Sequence, residues 1–301
     1  MGDVSSTGYL ILTLRVLLLA ASFPLIKALN RNQSSIASTA LFVLIGGAFI
    51  LPLAGVLIAG DPSVLAAVPQ WIGSSMLSAL IFTSGMILFM WALGRGEVSL
   101  LAPLTSLTFI ILYVFDLLAG NVGFCWCAPA GIALVTAGVT LLNMQPGVNL
   151  WQALNPLGVL RQPGALGAIY YAFAIAGTRM VDSRVADVAQ PLLYATSSNI
   201  VVGLVCIGLL LARRRTARLA QLWRERRWIA IATGLVGVFG YVALLSCFDY
   251  FAPSVIEPFS QLAIVITTLA GAWIYREKLH WRWLAAILVC GGAALVMLAR
   301  G

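Results

Sequence analysis

The sequence predicts an all-α polytopic membrane protein, with ten transmembrane helices arranged as two five-helix repeats of inverted topology. Three observations predict it. Hydrophobic residues make up 61% of the 301 residues and charged residues only 9%, against roughly 25% charged in a soluble domain. Apolar runs of about 20 residues, the length that crosses a bilayer as a helix, recur along the chain. The second half also slides back onto the first by 155 positions, with proline on proline and tryptophan on tryptophan.

The spans are expected near 8–29, 34–59, 68–93, 99–119, 123–143, 163–181, 188–212, 228–250, 254–275 and 281–299. Helices are the expected form because lipid offers no partner for an open backbone. The first run follows "MGDVSSTG", which lacks the basic n-region of a cleavable signal peptide, so it is expected to be retained. The third carries "WIGSSMLSALIFTSG" (71–85), small residues that let helices approach closely. "FCWC" (124–127) opens the fifth and holds the one close cysteine pair. No histidine or acid lies near it in sequence, so Cys125 and Cys127 read as packing residues. The segment 144–162, with its prolines and glycines, reads as the join between halves. The expected division is therefore 1–145 for the first repeat, 146–162 for the connection and 163–301 for the second repeat.

In the 155-residue register Ser99 falls on Ser254, Pro103 on Pro258, Trp126 on Trp281 and Ile132 on Ile287. Five spans per half force the halves to face opposite ways, and loop charge tests this. With loops assigned alternately, fourteen lysines and arginines fall on one side and three on the other, while Arg15 lies within a span. The first side is then cytoplasmic and both termini face outward. Equivalent loops also differ in charge: 60–70 has no Lys or Arg, whereas its counterpart 215–225 is basic. Repeated spans with opposed loop charge are what an inverted repeat produces, and transporters are commonly built this way.

The net charge of +8 does not indicate a nucleic-acid partner. Seven of the eighteen basic residues crowd into "RRRTARLAQLWRERR" (213–227), a loop between apolar runs that belongs against an anionic leaflet. An intramembrane enzyme is disfavoured, because the lone histidine, His280, sits at a loop and neither HExxH nor paired catalytic carboxylates occur. Direct ATP drive is disfavoured too, since no GxxxxGK[ST] loop is present. No cofactor or metal is expected.

The stretch "IEPFSQLAIVITTLAGAWIYREKLHWRWLAAILVCGGAALVML" (256–298) resembles the ninth and tenth helices of EamA-type permeases of the drug/metabolite transporter superfamily. "FPLIKALN" (23–30) resembles the lysine-bearing end of their first helix. The resemblance extends over the whole chain as two five-helix halves. The first half departs from it, with Ala102-Pro103 where Glu-Pro would stand and a neutral "AGNVG" where an acidic turn would stand. The resemblance implies a permease for small metabolites, often acting outward, without naming its cargo.

Candidate transport residues are the polar groups inside spans. Glu257 and Gln261 share a helical face with Thr268. Glu257 has two readings: a first-turn acid that suits the helix dipole, or a proton, cation or amine site. Pro258 beside it is a helix-start or bending device. The fourth span offers Ser106, Tyr113 and Asp116, and the seventh offers Asn199, whose amide needs several partners. Tyr171 and Tyr241 are cavity candidates. Arg15 either pairs with Glu257 or Asp116, meets a substrate carboxylate, or snorkels to the surface.

The expected function is a secondary transporter, most naturally an exporter, of a small polar metabolite such as an amino acid or related zwitterion. Alternating access across a bacterial inner membrane is the expected mechanism, with proton coupling and facilitated diffusion both open. A flippase for lipid or amphipathic headgroups is the alternative. The expected partners are a small-molecule substrate and the lipid bilayer, and the expected state is a monomer or weak homodimer.

Overall fold

Leucine-, alanine- and valine-rich runs with few charges have one economical form in hydrocarbon, the helix that satisfies its own backbone. In the computed structural model, which describes residues 6–31, 33–93, 107–143, 164–263, 265–267 and 280–298, the described residues are helices joined by turns. The helices are α1 (Ser6–Asn30), α2 (Ser35–Gly60), α3 (Val68–Leu93), α4 (Leu107–Leu118) and α5 (Cys127–Asn143). They continue as α6 (Ala165–Ser183), α7 (Pro191–Ala212), α8 (Ala217–Cys247), α9 (Pro253–Ser260) and α10 (His280–Leu298). Among the described residues five stretches are long and apolar enough to cross a bilayer: α1, α2, Pro62–Phe89, α7 and α8. Large apolar side chains are exposed along them, such as Leu10, Val56 and Leu204, as expected where lipid rather than water is the solvent. The chain is thus a multi-pass membrane protein, helical throughout its described residues apart from turns. The expected spans 99–119 and 254–275 run partly through residues outside the described set.

Local chemistry sets the helix starts. Pro191 and Pro253 occupy the first turns of α7 and α9, where a missing N–H costs nothing. Gln190 Oε1 caps α7 by accepting from Leu192 N at 2.6 Å and Leu193 N at 3.1 Å. Pro258, read from sequence as a starting or bending device, does not start the helix. It lies inside α9, whose regular turns end two residues later with Gln261 N donating to Pro258 O at 3.1 Å.

The basic segment 213–227 is not the loop expected from its charge. It is helical from Ala217 onward and continues into α8 across one non-helical residue, Arg226, at φ −135° and ψ 30°. Leu219 and Leu222 recur three apart and pack against the core, with Leu222 fully buried. Reading the arginines as a loop hid that apolar pair. At its far end α8 stops at Cys247, and Asp249 stands in the turn beyond.

The chain forms two compact units, each drawn from both halves of the sequence. The first comprises residues 1–87 and 177–251 and holds α1, α2, most of α3, the end of α6, α7 and α8. Within it α8 packs on α1 and α2, and α7 packs on α2. The second comprises residues 88–176 and 252–301 and holds α4, α5, the start of α6, α9 and α10. There α5 packs on α10 and α4 on α9. The α5–α10 crossing has no room for side chains: a Cβ on Gly292 would stand 2.5 Å from Gly131 O and 2.7 Å from Val135 N. The pairs α2–α7 and α5–α10 match helices that the 155-residue register sets equal.

Candidate functional site

Four helices of the first unit converge on one carboxylate. Near the end of α6, the sequence "TRMVDS" places Arg179 and Asp182 three apart, on one helical face. Asp182 has no exposed side-chain surface, and Arg179 Nη1 lies 3.9 Å from its Oδ2. Tyr194, on the first turns of α7, donates its hydroxyl to Asp182 Oδ1 at 2.8 Å. Tyr241, on α8, donates to Oδ2 at 3.1 Å. Ser78 of α3 adjoins Asp182 and Tyr194, and Ser198 of α7 adjoins Tyr241. Ser75 of α3 extends the network, bonding Ser197 and, at 3.0 Å, Ser198.

The arrangement follows from what each group can do. An ionised carboxylate only accepts, a phenol and a guanidinium supply donors, and a serine hydroxyl does both. A bare carboxylate at the C-terminal end of a helix would oppose the helix dipole, so its charge needs donors from elsewhere. Beside it a cavity of about 10 Å³, on the scale of a single water, is lined by Asp182, Ala186, Ala189, Pro191, Tyr194, Leu245 and Phe248. On the other side of Tyr194 lies the buried Trp71, with ring centroids 5.7 Å apart. A buried acid, a cation one helical turn away, two phenols and a water-sized space make a polar centre inside apolar helices.

Of the residues selected from sequence, Tyr241 belongs to this centre. Arg15 is buried on α1 in the same unit, and its Nη1 donates to Gly240 O at 3.3 Å, the residue beside Tyr241. Asn199 on α7 donates to Ala195 O of its own helix at 2.7 Å. Its Oδ1 lies 3.7 Å from where a Cβ on Gly46 would stand, so its amide faces the small-residue stretch of α2.

The second unit holds a separate polar cluster. Asp116 is fully buried on α4, and its Oδ2 accepts from Ser254 N at 2.8 Å while Oδ1 accepts from Asn121 Nδ2 at 3.1 Å. The residue in the capping position of α9, Ala252, has no side chain to cap with. Asp116 therefore supplies from α4 the acceptor that the first turn of α9 lacks. Glu257 lies on the same helix and is 7% exposed. Gln261, half-buried, follows the end of α9. Tyr113 is buried, and its hydroxyl has no hydrogen-bond partner among the described residues. Tyr171 stacks on Phe89, with ring centroids 4.2 Å apart and 15° between planes. Ser106 and Thr268 lie outside the described residues. Arg15 belongs to the first unit, Glu257 and Asp116 to the second.

Sequence reasoning passed over Asp182, Arg179 and Tyr194. The expected sixth span ends at residue 181, one short of the acid, and Arg179 counts there as loop charge. The signal that could have found them was the Arg-x-x-Asp spacing at the end of an apolar run.

Comparison with known proteins places residues 162–299 in the EamA-like transporter family. No curated protein matches the chain. Among solved structures, the crystal structure of a protein 18% identical in sequence superposes with a TM-score of 0.73, covering 98% of each chain. At that identity the likeness concerns the fold alone.

Proposed function

We propose that this chain, whose residues 162–299 match the EamA-like transporter family of the drug/metabolite transporter superfamily, is a secondary transporter of small zwitterionic metabolites such as amino acids. The family is one of transporters rather than enzymes, and its members work from within a lipid bilayer. What carries the reading of the substrate is the polar centre of the first unit. Asp182 and Arg179 present opposite charges within one helical turn, buried among apolar helices, with Tyr194 and Tyr241 as movable donors. A zwitterion offers the complementary pair: its ammonium replaces the phenol and guanidinium donors on the carboxylate, and its own carboxylate takes the guanidinium. Exchange of partners of this kind leaves no buried charge unpaired at any stage, which is the main constraint on moving ions through hydrocarbon.

The centre is closed around its own donors, with room for a water beside it. Substrate entry therefore requires Tyr194 or Tyr241 to release Asp182, a side-chain movement that couples occupancy to the packing of α6, α7 and α8. Alternating access by two inverted five-helix repeats, residues 1–145 and 163–301, is the mechanism we assign. The packing of α2 on α7 and of α5 on α10 supports it, as do the opposed loop charges. The same charge count supports both termini facing outward; a bacterial inner membrane and export are assigned from the resemblance to the family alone. Glu257 and Asp116, buried in the second unit, are proposed to serve gating rather than substrate binding, since Asp116 already holds the start of α9.

The test is counterflow in proteoliposomes with a pool of labelled amino acids, amines and sugars, with and without a pH gradient. Uptake confined to amino acids and abolished in Asp182→Asn supports the proposal. Uptake of amines or sugars alone overturns the zwitterion reading. No uptake, together with scrambling of a labelled phospholipid, overturns the transporter reading in favour of a flippase.

A further inference from the structure

The corner between α7 and α8 holds a strained arginine in the middle of a cationic cluster. The last turn of α7 closes with Arg214 N donating to Leu211 O at 2.9 Å and Arg215 N donating to Leu210 O at 2.8 Å. This is the pair of bonds that ends a helix through a left-handed residue, a position that glycine normally fills. Here the left-handed residue is Arg214, at φ 51°, the one non-glycine with positive φ among the described residues. A side chain in that conformation is disfavoured, and such strain tends to persist where the side chain has a task.

The neighbours show what task that could be. Arg213, Arg214, Arg215, Arg218, Arg224 and Arg227 are all exposed, and none forms a salt bridge among the described residues. The one acid in the segment, Glu225, is engaged by Gln221 Nε2 at 2.7 Å and Gln33 Nε2 at 3.2 Å, so it leaves the arginines unneutralised. Leu219 and Leu222 anchor the helix to the core, which fixes its other faces outward. Trp223 and Trp228 are 42% and 71% exposed. Arg227 lies 5.4 Å from the Trp228 ring centroid. Exposed indoles beside arginines, where two apolar helices end, match the headgroup layer, which is apolar on one side and wet and anionic on the other. One arginine is used differently: Arg226, at the break in α8, donates to Ala28 O and, at 3.3 Å, to Leu29 O, closing the last turn of α1.

We propose that the α7–α8 corner is a binding site for the headgroups of anionic phospholipids in the bilayer that holds the protein. Arg213, Arg214 and Arg215 form its centre, Arg218, Arg224 and Arg227 extend it along the helix, and Trp223 and Trp228 seat it in the interface. Because Arg226 ties the same helix to the end of α1, an occupied site stabilises the first unit. The inference holds whatever solute the protein carries.

The experiment uses the full-length protein in nanodiscs of phosphatidylcholine with rising fractions of phosphatidylglycerol, reading the thermal midpoint. The wild type is expected to gain stability with phosphatidylglycerol and to lose that gain at high salt, because the contact is ionic. The triple variant Arg213→Gln, Arg215→Gln, Arg218→Gln is expected to lose most of the gain. Arg214→Gly gives a readout that a merely structural arginine would not: a higher midpoint in pure phosphatidylcholine, as strain is relieved, with a smaller response to phosphatidylglycerol. Three outcomes overturn the proposal: a full lipid response in both variants, a lower midpoint for Arg214→Gly in pure phosphatidylcholine, or an equal gain from inorganic phosphate without anionic lipid.

Discussion

Removing the Tyr194 hydroxyl tests whether the buried network joins α6, α7 and α8. Tyr194 donates to Asp182 Oδ1 at 2.8 Å, while Tyr241 holds Oδ2 at 3.1 Å. Hydrogen bonds to charged acceptors are generally worth about 1.5–3 kcal/mol, whereas interhelical bonds in membranes average about 0.6 and reach about 1.7 kcal/mol. The membrane figures govern here, because the unfolded reference is a set of helices already in lipid, where polar groups find other partners. The short distance and the fully buried charged acceptor place this bond near the upper end, so Tyr194→Phe should cost about 1–1.7 kcal/mol. In an Asp182→Ala background the phenol has already lost its acceptor, and deleting its hydroxyl should cost nothing or relieve a buried orphan. The interaction energy from the four-protein cycle is then nearly the whole cost of the single change. The assay is unfolding of the full-length protein by dodecyl sulfate in mixed micelles, followed by far-ultraviolet circular dichroism. An equal cost for Tyr194→Phe in both backgrounds would refute the network.

Three further outcomes follow from other parts of the structure. At the α5–α10 crossing, Gly292→Ala should lose about 1–3 kcal/mol through overpacking, because its Cβ would stand 2.5 Å from Gly131 O, whereas Gly291→Ala meets nothing within 4 Å. Gly291→Ala should be neutral or gain up to about 1 kcal/mol; thermal midpoints in detergent compare the two. Asp116→Ala should cost about 1 kcal/mol, as lost caps do, and speed hydrogen exchange at Ser254 N, while Asp116→Asn keeps an acceptor there and loses less. Asp249, in the turn after α8, has its carboxyl pushed above its ordinary value of 3.8 by burial and then by the neighbouring Asp187. An acid with a raised folded-state pKa binds its proton more tightly when folded. Its contribution to stability is therefore complete below 3.8 and lost as pH rises through the raised value. Asp249→Asn should accordingly stabilise the protein at neutral pH and reduce its gain on acidification, read as thermal midpoint against pH.

The membrane class and the helical content were legible because hydrocarbon leaves the backbone one choice, and composition reports the solvent directly. Buried acids in the second unit were legible too, since Asp116 and Glu257 stand out in apolar runs. Their roles were not. Asp116 caps a helix whose first turn is 138 residues away, and no local pattern announces a cap supplied from another helix. Asp182 escaped for a related reason: its donors lie 12 and 59 residues along the chain, and a charge at a span's end resembles a loop residue until its partners are seen. At the α7–α8 corner the density of arginine masked the Leu219 and Leu222 pair that makes the segment a helix.

The 155-residue register separates what the two halves share from what they do not. Pro103 and Pro258 coincide, as do Trp126 and Trp281, and helices set equal by the register pack on each other within each unit. The chemistry does not repeat. Asp182 falls on Lys27, Glu257 on Ala102, Asp116 on Gly271, Arg15 on Tyr170, Asn199 on Leu44 and Tyr241 on Met86. A pseudo-symmetric scaffold with every ionisable group duplicated would present the same polar centre to both sides of the membrane, and each copy would incur its own desolvation cost. With one copy, the cost of burying Asp182 and Arg179 is borne once. The one charged counterpart, Lys27, has the opposite sign to Asp182. Under the proposed repeat, symmetry supplies two interconvertible packings of one scaffold, and its breaking at these six positions decides which packing binds the solute.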